Sequence, residues 1–158
     1  MVKISDLIGP DHVVVALRAN DKPQLLGELS RRAGRMLAIA PQTVLDALQA
    51  REALGSTGVG QGIALPHTRI AGLKESFGLF ARLERPIDFD AIDGRPVDLV
   101  FLLLVPDRPG NEGLTALAAV ARQLRDPKIA AQLRTDANTT KLYELLTASP
   151  APNPAEAR

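Results

Sequence analysis

The sequence predicts an α/β fold in which a central mixed β-sheet is sandwiched between helices. Three observations predict it. The run Asp98 to Val105 is almost unbroken in apolar residues, as in a strand buried on both faces. Apolar positions recur at helical spacing both before and after the central stretch. The predicted order is one strand, two helices, three strands and then helices, which places helices on both faces of a sheet.

The first strand is His12 to Leu17, a short β-branched run. Asn20 and Asp21 then offer a helix cap, and Pro23 falls in the first turn, where a missing N–H does no harm. Leu25, Leu26, Leu29, Ala33 and Met36 form the apolar stripe of that helix. A break at Ala40-Pro41 starts a second helix carrying Val44, Leu45 and Leu48, which reaches Leu54 and stops at Gly55.

Ile63-Ala-Leu65 reads as a strand running into Pro66-His67. Phe77, Leu79, Ala81 and Leu83 alternate with Gly78, Phe80 and Arg82, which marks another core strand. Between Pro86 and Pro96, Asp93-Gly94 signals a turn. Asp88, Asp90 and Asp93 lie there as turn residues, without the glycine and closing glutamate of a calcium loop. The strand from Asp98 ends at Pro106.

After the loop Asp107 to Gly113, the residues Leu114, Leu117, Ala121 and Leu124 predict one face of a helix. Asp126-Pro127 opens a short helix with Ile129 and Leu133, and Asn138 caps a last one with Leu142, Leu145 and Leu146. Residues 1–147 are expected to form a single domain. The tail 148–158, with three prolines and little to bury, is expected to be disordered.

Composition narrows the function. The 158 residues carry 19 Lys+Arg against 18 Asp+Glu, a net charge of +1, and 3% aromatics, so nothing marks a nucleic-acid-binding surface. The absence of cysteine rules out disulfides, thiolate metal sites and a cysteine nucleophile. No segment is apolar and long enough for a signal peptide or a membrane span, and a cytoplasmic location is expected. No carboxylate sits at ligand-like spacing from His12 or His67, so neither a metal nor another cofactor is expected.

The chemistry concentrates in Arg51-Glu-Ala-Leu-Gly-Ser-Thr-Gly-Val-Gly-Gln-Gly-Ile-Ala-Leu-Pro-His67. Glycines at 55, 58, 60 and 62 allow a backbone to turn its amides toward an anion. Ser56, Thr57 and Thr68 offer hydroxyls for a phosphate, and Arg51 offers a planar, bidentate cation. The run lacks the Gly-Lys-Ser/Thr ending of a nucleotide P-loop, and its glycine spacing after a helix is not the dinucleotide fingerprint. A neutral imidazole at His67 can attack a phosphoryl group and pass it on. On residue chemistry alone a surface histidine, a plain turn and a solvated arginine remain open, and His12 reads as structural or exposed. Arg31, Arg32 and Arg35 read as a solvated helix face.

The stretch from Arg51 to His67 closely resembles the active-site segment of enzyme IIA proteins of the fructose/mannitol type in the bacterial phosphotransferase system. Pro86-Ile-Asp-Phe-Asp-Ala-Ile-Asp-Gly-Arg-Pro-Val-Asp98 and Leu102-Leu-Leu-Val-Pro106 extend the resemblance. It is strongest to the nitrogen-regulatory branch. The resemblance implies that His67 is the phosphorylated residue and that Arg51 organises the site, with Ser56 and Thr57 in the loop beside it. It implies a histidine phosphocarrier protein as donor, and regulated targets such as potassium transporters or sensor kinases. The alternatives are a sugar-specific enzyme IIA that passes phosphate to a IIB domain, and a binding module without phosphotransfer. The family often carries a second active-site histidine, and Gly113 aligns with it here; Asn111 or Arg108 is then the expected substitute donor.

Overall fold

A computed structural model describes residues 2–148. Two short 3-10 turns (Ile4–Asp6 and Pro10–His12) precede β1 (Val13–Leu17), α1 (Lys22–Leu37) and α2 (Pro41–Glu52). Then come β2 (Gly58–Gly60), β3 (Ile63–Ala64), β4 (His67–Ile70), β5 (Phe77–Ile87) and β6 (Val97–Pro106). Three helices follow, α3 (Glu112–Arg125), α4 (Pro127–Thr135) and α5 (Thr139–Thr147). Of the tail 148–158, all but Ala148 lies outside the described residues, so its expected disorder does too.

The six strands form one mixed sheet in the order β1-β5-β6-β3-β2, with β4 also on β6. β1 lies parallel to β5, β5 antiparallel to β6, and β3 and β4 both run parallel to β6. The predicted helix–sheet–helix sandwich is therefore present. Alternation along β6 builds it: Val100, Leu102 and Leu104 join the core under α1 and α2, while Leu99, Phe101, Leu103 and Val105 join the core under α3, α4 and α5. Burial of both faces explains the apolar run.

Local chemistry sets most of the ends. The Asp21 carboxylate accepts from the amide of Gln24, and Pro23 occupies the first turn of α1. Asp126 and Asn138 cap α4 and α5 in the same way. Asp88 accepts from the amide of Asp90, and Asp93 from those of Gln61 and Arg95, so these carboxylates hold turns. On the face of α1, Arg31 and Arg32 pair with Glu28.

Three expectations are corrected. The second helix ends at Glu52 rather than Leu54, its last turn closing through Ala53 instead of Gly55. His67 does not end a strand: β3 stops at Ala64 and β4 starts at His67, because the Leu65-Pro66 pair breaks the ladder and Pro66 can only accept, from the amide of Leu103. In α3, the buried residues are Ala116, Val120, Gln123 and Leu124, and Leu114 is 72% exposed. Leu117, Ala121 and Leu124 do pack on the core as predicted, and only Leu114 departs, lining a cavity instead. Among the described residues, no helix is long and apolar enough to cross a membrane.

Candidate functional site

β4 is a short strand on β6, with α2 behind one face and α3 behind the other. Parallel pairing puts His67 beside Leu103 and Arg69 beside Val105. Successive residues of a strand point to opposite faces. Ile70 lies in the α1–α2 core, so His67 and Arg69 point to the α3 side and Thr68 to the α2 side.

A cavity of about 700 Å³ straddles this strand. Ala47, Ala50, Arg51 and Leu54 of α2 and its end line one rim. Gly110, Asn111, Gly113, Leu114 and Leu117 line the other, and His67, Thr68 and Arg69 form the floor with Leu103 and Val105. Arg51, Thr68 and His67 are thus brought together, as the sequence predicted.

The imidazole of His67 is half-buried, and its Nδ1 lies 2.8 Å from the carbonyl oxygen of Leu65. A carbonyl only accepts, so Nδ1 carries a proton, and in the neutral ring Nε2 keeps the free lone pair. The guanidinium of Arg51 donates to the carbonyl of Gly55 at 3.0 Å, which ties it to the start of the glycine-rich loop. The hydroxyl of Thr68 makes no hydrogen bond to another described residue.

Ser56 and Thr57 are placed elsewhere. Neither lines the cavity. The Ser56 hydroxyl donates to the Phe89 carbonyl at 2.7 Å and accepts from the amide of Gly58 at 3.0 Å. Thr57 is buried, and both its amide and its hydroxyl donate to the carboxylate of Glu52. Glu52 also binds Lys22 at 2.9 Å, and the Lys22 ammonium sits over the ring of Phe89. The amides of Thr57, Gly58 and Gln61 are all engaged by the protein itself.

The glycines serve close packing. A Cβ on Gly58 would lie 2.9 Å from the Cα and Cβ of Ala91. Gly62 has φ +77° and would press a Cβ onto Arg134 and Asp98. The loop reaches His67 by a relay: the Thr57 carbonyl accepts from the amide of Leu65 at 2.9 Å, and the Leu65 carbonyl accepts from His67.

Around Gly113 the structure is also specific. A Cβ there would lie 3.3 Å from a methyl of Val105, so a larger side chain needs Val105 to give way. Asn111 lines the cavity, and its side chain makes no capping bond to α3. Arg108 does not line it: its guanidinium binds Glu112 at 2.7 Å and the Lys74 carbonyl at 3.3 Å. That contact, and then the Ser76 hydroxyl, hold the Glu112 carboxyl below its ordinary range. Gln61 and Arg95 amides do the same for Asp93.

Sequence reasoning missed Arg69, Leu54 and Leu114 as site residues. Arg69 had a usable signal, since it stands two residues after His67 on one strand. Leu54 and Leu114 are 84% and 72% exposed and flank the cavity as an apolar collar. The second histidine, His12, donates from Nδ1 to the Gly78 carbonyl at 2.9 Å and rests against Phe77, away from this cavity.

A family model described as phosphoenolpyruvate-dependent sugar phosphotransferase system, EIIA 2, matches residues 6–149. A nitrogen regulatory protein of Bradyrhizobium diazoefficiens is 47% identical over 148 residues, covering 94% of this chain and 97% of that protein. One from Escherichia coli is 37% identical, covering 92% and 90%. Among solved structures, nitrogen regulatory protein IIA-Ntr from Neisseria meningitidis superposes with a TM-score of 0.86 at 37% identity, covering 91% of this chain and 99% of that one.

Proposed function

The chain belongs to the EIIA type-2 family of the phosphoenolpyruvate-dependent sugar phosphotransferase system, and on that premise we propose that Nε2 of His67 is its phosphoryl acceptor. The observation that carries this reading is the hydrogen bond from Nδ1 of His67 to the Leu65 carbonyl. It fixes the tautomer, orients the ring and leaves Nε2 as the nucleophile, at a cavity that also holds Arg51 and Thr68.

The donor is a histidine phosphocarrier protein. The lone pair of Nε2 attacks phosphorus, the N–P bond of the donor's phosphohistidine breaks in line, and the donor's ring nitrogen takes back that electron pair. The Nδ1 proton stays on His67. One phosphoramidate is exchanged for another, without water or a cofactor. Charge in such a step lies on the equatorial oxygens, so positioning and cationic or hydroxyl donors supply the catalysis. Arg51 and Thr68 are placed to serve. Ser56 and Thr57 act indirectly, by holding the loop that holds Leu65.

Phosphorylation adds negative charge and acceptor oxygens to a cavity rimmed by leucines. Targets that read this face in the cytoplasm then distinguish the two forms. Similarity to nitrogen regulatory proteins supports a regulatory carrier, with potassium transporters or sensor kinases as the class of target. The test is phosphoryl uptake by the purified chain from a phosphocarrier charged with phosphoenolpyruvate and enzyme I. Intact mass should show one acid-labile phosphoryl group, absent from His67→Ala.

A further inference from the structure

We propose that Arg69 is a second phosphoryl-holding residue of the His67 site, its guanidinium engaging the phosphoryl oxygens once Nε2 carries the group. The proposal rests on the reading of His67 as acceptor.

Placement comes first. His67 and Arg69 lie on the same face of β4, on the α3 side, beside Leu103 and Val105 of β6. Residues two apart on a strand are separated by about 6.6 Å, within the reach of an arginine side chain. Arg69 lines the same cavity as His67.

Availability comes second. Arg69 is exposed, and its guanidinium makes no hydrogen bond or ion pair with another described residue. Arg108, by contrast, is committed to Glu112 and Lys74, while Arg51 spends one N–H on the Gly55 carbonyl and keeps the rest of its fork. Glu112, the carboxylate at the start of α3, is taken by Arg108 and Ser76. Among the described residues, no carboxylate lines the cavity to neutralise Arg69. Gly113 brings the backbone of α3 close to Val105, beside Arg69 in the strand pairing.

Chemistry comes third. Arg51 approaches from the α2 side and Arg69 from the strand floor on the α3 side. A phosphoryl group between them meets two planar forks from different directions, each able to bind two oxygens. The bond changes are those of the transfer itself: Arg69 donates hydrogen bonds and neither gains nor loses a proton.

The experiment compares wild type, Arg69→Gln and Arg69→Lys, each checked for an unchanged melting curve. Initial rates of phosphoryl uptake are measured by intact mass with a protein phosphodonor. Side-chain NMR of ¹⁵N-arginine-labelled protein follows the Arg69 Nε–H before and after phosphorylation. The proposal predicts an uptake rate about tenfold lower in Arg69→Gln, partial recovery in Arg69→Lys, and an Nε–H signal that shifts and sharpens when His67 is phosphorylated. Uptake by Arg69→Gln at the wild-type rate overturns it. So does a slowed variant whose wild-type Nε–H signal ignores phosphorylation, which would place Arg69 on the donor's surface rather than on phosphate. No uptake by wild type removes the His67 reading and this proposal with it, and is thereby distinct from failure of Arg69 alone.

Discussion

The ring of His67 is held by the backbone two residues before it: its Nδ1–H donates to the Leu65 carbonyl at 2.8 Å. That carbonyl is available because Leu65-Pro66 interrupts the strand, leaving Leu65 outside the β3 and β4 ladders. The same break starts β4 at His67 and sets its side chain toward α3. The bond to Leu65 thereby sets ring orientation and the Nδ1–H together.

The relay from Glu52 through Thr57 to Leu65 gives a prediction about stability and rate together. Thr57→Val removes a buried hydroxyl that donates to Glu52 and leaves that carboxylate short of a partner. It should cost about 1–3 kcal/mol, read as a lower denaturant midpoint. Uptake of phosphate should slow as well, because the Leu65 carbonyl loses its support. Thr57→Ser keeps the hydroxyl and should behave close to wild type in both measurements.

Gly58 tests packing without backbone strain. A methyl there meets Ala91 at 2.9 Å, on the loop that Ser56 also contacts through Phe89. Gly58→Ala should destabilise the fold by about 1–3 kcal/mol, the usual range for overpacking. A thermal melt equal to wild type would show that the loop yields freely.

The leucine collar predicts an effect on association alone. Leu54→Ser and Leu114→Ser alter side chains that are 84% and 72% exposed, so stability should change by no more than about 0.5 kcal/mol. If these leucines are covered by the phosphodonor, each change should weaken its binding by roughly tenfold or more. Titration calorimetry with the donor is the measurement.

Acid should loosen the entrance to α3. Glu112 titrates below its ordinary value of 4.5 because Arg108 and Ser76 bind the carboxylate. A lowered folded-state value means that the stabilisation is complete above the unfolded value and disappears as pH falls through the folded one. Wild type should therefore exceed Glu112→Gln in stability at about pH 6, and the difference should shrink toward about pH 3. Chemical denaturation of both proteins across that range checks it.

Much of this was legible in the sequence, for physical reasons. The two-sided burial of β6 shows as an apolar run, and Asp21, Asp126 and Asn138 announce their helices by capping chemistry. Arg51, Thr68 and His67 were found from the motif and meet at one cavity. Where Ser56 and Thr57 turn is not legible, because hydroxyls beside glycines look alike in sequence whether they face a ligand or the interior. Only the partners, Phe89 33 residues away and Glu52, show which. Leu114 fits the helical stripe, yet periodicity does not reveal that the first turn of α3 borders a cavity. Arg69 was hidden by treating His67 as the end of a strand, which halted the alternation one step too soon.

The most direct test of the central claim is long-range ¹H–¹⁵N NMR of histidine-labelled protein, before and after phosphorylation by a charged phosphocarrier. The account predicts a His67 ring protonated at Nδ1 beforehand and phosphorylated at Nε2 afterwards, with His12 unchanged. A phosphoryl group on Nδ1 of His67, on His12, or on no histidine from active donors would contradict it.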